Sequence, residues 1–150
     1  MNPLNRQLRE KGQSLVEFSL GLVVLLLVIC GLLDLGRVYF TFVALEDGAG
    51  EAALYLSLHP KCFANDTITA IVDECKDPNN ATFRAQNSGG YEVDWKNATI
   101  SFNVPAASVG EPVKVTVDYN YKLLTPIIPR IAGMNPIKIT ASASQIIITE

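Results

Sequence analysis

The chain has 150 residues, enough for one small domain or for a membrane element carrying one. Its formal charge of -3, from 12 basic and 15 acidic side chains, offers no strongly basic balance and argues against nucleic-acid binding. The 49% hydrophobic content is unevenly spread, and much of it precedes residue 60.

The first twelve residues hold Arg6, Arg9 and Lys11 against Glu10. Residues 18–33, FSLGLVVLLLVICGLL, then contain no charged side chain. As a helix this run is ~24 Å long, against the roughly 20 residues that a bilayer core asks for, so its flanks decide how it is read. Glu17 stands at its start. Asp34 and Arg37 follow its end at a spacing that places them on adjacent turns, where they can pair, and a snorkelling arginine is tolerated at a membrane boundary. These features predict a transmembrane segment over about residues 16–38. The basic start is expected to stay cytoplasmic, which sends the C-terminal part to the periplasm or the cell exterior. The competing readings are a buried helix of a soluble protein and a cleaved signal peptide. The second is disfavoured because small residues suited to cleavage occur only at 48–53, well past the apolar core.

The helical pattern continues to about residue 58. Val43, Leu45, Ala49, Ala52, Ala53 and Leu56 form an apolar stripe, while Glu46, Asp47 and Glu51 fall elsewhere on the helix. Gly48 and Gly50 each weaken a helix by about 1 kcal/mol, so they mark either a kink or a close approach by a neighbouring chain. Pro60 ends the element. A long N-terminal helix over 13–58 is therefore expected.

Residues 59–97 are rich in loop signals, with DPNN and NSGG as turns and a short helix or strand over DTITAIVDEC. In an exported domain Cys62 and Cys75 would form a disulfide worth roughly 3 kcal/mol; the alternative is two free thiols. Their spacing is not that of a redox pair. His59 is read as a helix-end residue rather than a ligand. N-x-T triplets occur at Asn65, Asn80 and Asn97.

From residue 98 the period changes to two. Ile100, Phe102 and Val104 alternate with polar residues. So do Val113, Val115, Val117, Tyr119 and Tyr121, opposite Lys114, Thr116, Asp118, Asn120 and Lys122. LTPIIPRIAGMNP interrupts the pattern, and IKITASASQIIITE makes a last strand whose phase is expected to shift near Gln145 at a bulge. The fold class is α+β: a long hydrophobic helix followed by a small antiparallel sheet over 98–150, its apolar face covered by the outer half of the helix.

No catalytic residue is nominated. His59 has no evident nucleophile partner, and Ser14, Ser19, Ser57 and Ser88 lack a nucleophile-elbow setting. No metal site, phosphate loop or cofactor signature is present. A bitopic membrane protein with an exported ligand-binding or sensor domain satisfies these observations; so does a structural subunit.

One motif separates the two. GQSLVEF, then DLGR, with Gly12, Gln13, Val16, Glu17, Phe18, Asp34, Gly36 and Arg37, resembles the N-terminal segment of the TadE-like proteins, small pseudopilins or minor pilins of the tight-adherence (Flp-type) pilus system. The tail VKVTVDYNYKLLTPIIPRIAGMNPIKITASAS is similar to theirs as well, and the resemblance touches about half the chain. It departs from many members in having no proline between residues 4 and 59. The resemblance implies a leader peptide over 1–12, cut by a prepilin peptidase between Gly12 and Gln13. Glu17 then becomes the fifth residue, close enough to the new terminus to meet the α-amine of a neighbouring, axially shifted helix. That role competes with simple stabilisation of the positive helix end. The implied partners are the peptidase, other pilin-like subunits, assembly-platform proteins and membrane lipid. The cut would leave nine basic and fourteen acidic side chains, a net charge of -5.

Overall fold

A computed structural model describes residues 3–63, 75–90, 93–105, 107–123, 133 and 136–149, with side chains from residue 12 onward. Helix α1 runs from Pro3 to Leu58, ~84 Å at 1.5 Å per residue. It starts ten residues before the expected position because LNRQLREK is a run of good helix formers with a proline at the first turn. Pro60 lies just past its end, as expected.

Three antiparallel strands form one meander in the order β1-β2-β3: β1 (Ala98–Asn103), β2 (Pro112–Tyr121) and β3 (Ile137–Ile146). β1 pairs from Ala98↔Tyr119 to Asn103↔Lys114, and β2 pairs with β3 from Pro112↔Ile146 to Tyr121↔Ile137. Val113, Val115, Val117 and Tyr121 point inward and are buried, as their alternation predicts. The expected bulge near Gln145 is not there. The ladder stays regular to Ile146, and Ile147 is buried in the same phase as Ile139 and Ala141. Gln145 is simply an exposed polar residue in the inward row; polarity near the sheet's end mimicked a phase shift.

The outer half of α1 covers this face. Leu45, Ala49, Ala52, Ala53 and Leu56 are fully buried and join the strand valines in one core. Val43 lies outside it and is only half-buried. Glu46, Asp47 and Glu51 face solvent, as predicted. The carbonyls at the helix end, normally left open, are closed by the chain's last residues. Ile148 N–H donates to Ser57 O at 3.0 Å, and Thr149 Oγ1–H donates to Leu58 O.

The region expected to be loop-rich also contains α2 (Ala81–Ser88) and a 3₁₀ turn over Trp95–Asn97. The first escaped notice because it is short and its apolar face consists only of Ala81 and Ala85. Its N-cap is Asn80, whose side chain accepts from Phe83 N–H at 2.7 Å and donates to Asp77 Oδ1 at 2.5 Å. Asn80 is thus buried and engaged, so the second N-x-T triplet is a cap in the folded chain. Asn97 is exposed, while Asn65, most of DTITAIVDEC and most of LTPIIPRIAGMNP lie outside the described residues.

Trp95 explains the glycines. A Cβ on Gly48 would fall 2.7 Å from Trp95 Cη2 and 2.8 Å from Ala85 O; one on Gly89 would strike the same ring and sit 2.5 Å from Ala44 O. Gly48 therefore admits an aromatic ring of its own chain, and α1 stays helical through it. Gly50 has open space around its Cα. Gly48→Ala is expected to destabilise the full chain in detergent by roughly 1–3 kcal/mol, the range for overpacking a filled site. Gly50→Ala should stabilise it by up to about 1 kcal/mol. Thermal melting of the two variants checks both signs.

On the outer sheet face Asp118 accepts from Thr140 Oγ1 at 2.5 Å and pairs with Lys138 at 3.2 Å. The Thr140 hydrogen bond, followed by Lys138, holds its carboxyl below the ordinary carboxylate value. A lowered folded value means that this contribution is complete above the unfolded pKa and disappears as pH falls through the folded one. Asp118→Asn should therefore make stability less sensitive to pH on the acid side of about pH 4, as measured by melting temperature against pH.

Candidate processing and membrane-exit site

The N-terminal site is built on bare helix. Gly12, Gln13, Glu17 and Phe18 are all exposed, and Gln13 Nε2–H donates to Glu17 Oε1 at 3.1 Å across one helical turn. Gly12 meets nothing that a side chain would clash with. The motif residues are thus brought together by helical spacing alone.

The apolar run beyond this motif has no partner in the fold. Fifteen large apolar side chains from Leu15 to Leu35 are exposed. Burying each is worth about 1.5–3 kcal/mol, which sums to tens of kcal/mol and exceeds the 5–15 kcal/mol by which whole domains are stable. Residues Gly12–Leu58 form a helix long and apolar enough to cross a membrane, and its most apolar window has a mean hydropathy of 2.7 and is 0% buried. Free Cys30 lies on this exposed surface.

The surroundings change at Asp34. This residue is 3% exposed and is not left without a partner. Thr41 is buried too and donates to Arg37 O at 2.9 Å. Arg37 is exposed and lines a polar cleft of about 400 Å³ with Asp94, Asn97, Tyr119, Tyr121 and Lys122. On the same turns Leu32, Leu35, Val38, Tyr39, Phe42 and Ile139 line an apolar groove.

Cys62 and Cys75 are bonded, with Cα atoms 5.0 Å apart. Ala81 N–H donates to Cys62 O at 3.0 Å, and Thr82 bonds Phe63 O through both N–H and Oγ1. The bridge therefore fixes the segment after α1 to the start of α2. His59 lies just past the helix and stacks on Tyr55 with ring centroids 4.7 Å apart. Among the described residues no three His, Cys, Asp or Glu side chains converge as metal ligands. Sequence reasoning missed Trp95 and Tyr121 as site residues. Both carry a buried polar atom, the indole Nε1 and the phenol Oη, with no hydrogen-bond partner among the described residues. The small residues Gly48 and Gly89 were the available signal for the first.

An exposed apolar helix that continues into the core of a small α+β domain defines a pilin-like architecture. Residues 12–54 match the family model described as TadE-like protein. No curated protein and no solved structure matches the chain.

Replacing both Cys62 and Cys75 by serine should lower stability by about 3 kcal/mol, the chain-entropy value for a loop of this size. Cys30→Ser should leave it unchanged. Chemical denaturation of the full chain in detergent distinguishes the two.

Proposed function

We propose that this chain is a non-enzymatic pseudopilin or minor pilin subunit, processed by a prepilin peptidase after Gly12 and acting in assembly of a tight-adherence (Flp-type) pilus or a related envelope filament. The observation that carries this reading is the juxtaposition of the Gly12–Gln13…Glu17 motif with an apolar helix that the fold leaves uncovered. Such a helix needs lipid first and a bundle of similar helices later. Residues 1–12 form the cytoplasmic leader. The span covers about 16–38, and the α+β domain stands in the periplasm or beyond. Asp34 and Arg37 remain in the proposal as the couple that marks where the helix leaves the bilayer.

Glu17 selects register. In a helix bundle its carboxylate meets the new α-amine of a neighbouring subunit, while the peptidase, the platform proteins and the other pilin-like subunits are the partners of successive steps. The resemblance and the family match support this assignment.

N-terminal sequencing of native material, split between membranes and sheared filaments, should return Gln13 as the first residue; a mature chain starting at Met1 overturns the processing step. Gly12→Leu should abolish cleavage. Glu17→Ala should leave cleavage intact but reduce incorporation at least about tenfold, since leaving one partner of a buried pair uncompensated costs roughly 3–5 kcal/mol. Normal incorporation of the Glu17 variant would remove its register role.

A further inference from the structure

The cleft beside Arg37 has a composition that the assembly role does not use. It opens along β2 where β1 has not yet begun, because β1 starts at Ala98 opposite Tyr119. Arg37 reaches it from α1 and Lys122 from the end of β2, and both are exposed. Its one carboxylate, Asp94, is already engaged: Oδ1 accepts from Lys96 N–H at 3.3 Å and Oδ2 from Asn97 Nδ2–H at 2.8 Å. Among the described residues that line the cleft, two side chains are cationic and one, already engaged, is anionic; Asp34, the proposed partner of Arg37, is buried one turn before it. Tyr121, only 5% exposed, lines it as well, and its buried hydroxyl has no hydrogen-bond partner among the described residues. A buried donor of this kind is costly unless an acceptor beyond the described residues takes its proton in a hydrogen bond.

The cleft's level on the helix identifies that acceptor. Gly36 and Val38, either side of Arg37, line the apolar groove that extends from Leu32 to Phe42. A guanidinium and an ammonium placed on the turns where the apolar surface ends match the headgroup layer of a bilayer. Arg37 carries five N–H donors in a planar fork suited to a phosphate.

We infer that the cleft formed by Arg37, Lys122 and Tyr121 binds the phosphodiester of an anionic phospholipid at the outer end of the membrane helix. Arg37 and Lys122 hold the phosphate oxygens, and the Tyr121 hydroxyl donates to the same group. Bound lipid fixes the height and rotation of the α+β domain over the membrane before the subunit is withdrawn. This inference rests on the membrane-spanning part of the proposed function and is independent of the cut after Gly12.

The test uses the full chain in detergent micelles containing equal phosphatidylglycerol and phosphatidylcholine, with native mass spectrometry counting the retained lipids. Wild type should retain phosphatidylglycerol several-fold over phosphatidylcholine. Arg37→Gln combined with Lys122→Gln should bring the ratio to about one, and Lys122→Gln alone should lower it with no loss of melting temperature. Tyr121→Phe should reduce the preference without lowering the melting temperature. Millimolar glycerol phosphate should not displace the lipid; if it does, the site takes a free phosphate and the lipid assignment falls. Equal retention by wild type, an unchanged preference in the double variant, or a full preference in Tyr121→Phe overturns the site. Carbonate extraction of native membranes separates this failure from that of the underlying reading. A chain released by carbonate contradicts the span itself, whereas a chain that resists extraction but shows no preference contradicts only the lipid site.

Discussion

Everything outside the membrane helix depends on the contact between the small-residue stripe of α1 and the valine rows of the sheet. Ala49, Ala52 and Ala53 bring the helix backbone close to the strands, and Leu45 and Leu56 bracket them. A sheet with one apolar face must bury that face against another element, and the helix is the element that does so here. The helix in turn gains fixed positions only where the sheet and α2 hold it. The two closures at its end are consequences of this contact. Once β3 lies along α1, its continuation passes the helix terminus, and Ile148 and Thr149 take the carbonyls that Ser57 and Leu58 would otherwise leave open.

One helix therefore serves two solvents. From Leu15 to Leu35 it presents leucine, valine and isoleucine on every side, as hydrocarbon requires. From Leu45 to Leu56 its apolar residues narrow to a stripe, and carboxylates occupy the remaining surface. Asp34 and Thr41 are buried polar residues between these two regimes. The change is one of burial pattern within an unbroken helix, with no linker between the two regimes.

The legible parts of the fold were those with a strict period. β2 alternates without exception from Val113 to Tyr121, and the sheet's register follows from it. The helix stripe was legible for the same reason, apart from Val43. The elements that escaped have no period. α2 is eight residues long and depends on the Asn80 cap, on hydrogen bonds to Cys62 and Phe63, and on two alanines. Trp95 in a loop gave no sign that it would fill the space left by Gly48 and Gly89. The supposed phase shift near Gln145 came from treating polarity as orientation: the backbone keeps its alternation when a polar side chain occupies an inward position at the rim. In the candidate site, the motif at residues 12–18 was visible because it is local. The cleft was not, since Arg37, Asp94 and Lys122 are brought together only by the packing of helix, turn and strand.

The Gln13–Glu17 contact refines the role proposed for the glutamate. In the full chain that carboxylate already accepts a hydrogen bond from the residue just after the proposed cut. Processing would not remove this partner, because Gln13 stays. It would add a positive charge to the same residue's backbone nitrogen. Glu17 then has a neutral amide within its own helix and an ammonium on a neighbour's. Charge-assisted bonds are roughly twice as strong as neutral ones, and the difference grows as lipid or packed helices replace water. The choice between partners is therefore set by the surroundings. In a lone subunit the internal amide would give the carboxylate a hydrogen-bond donor without neutralising its charge. In the proposed bundle, with the right axial offset, the neighbour's amine would displace it. On the proposed account Gln13 would give Glu17 a hydrogen-bonding partner until assembly, while the charge itself would find its counter-ion only in the bundle.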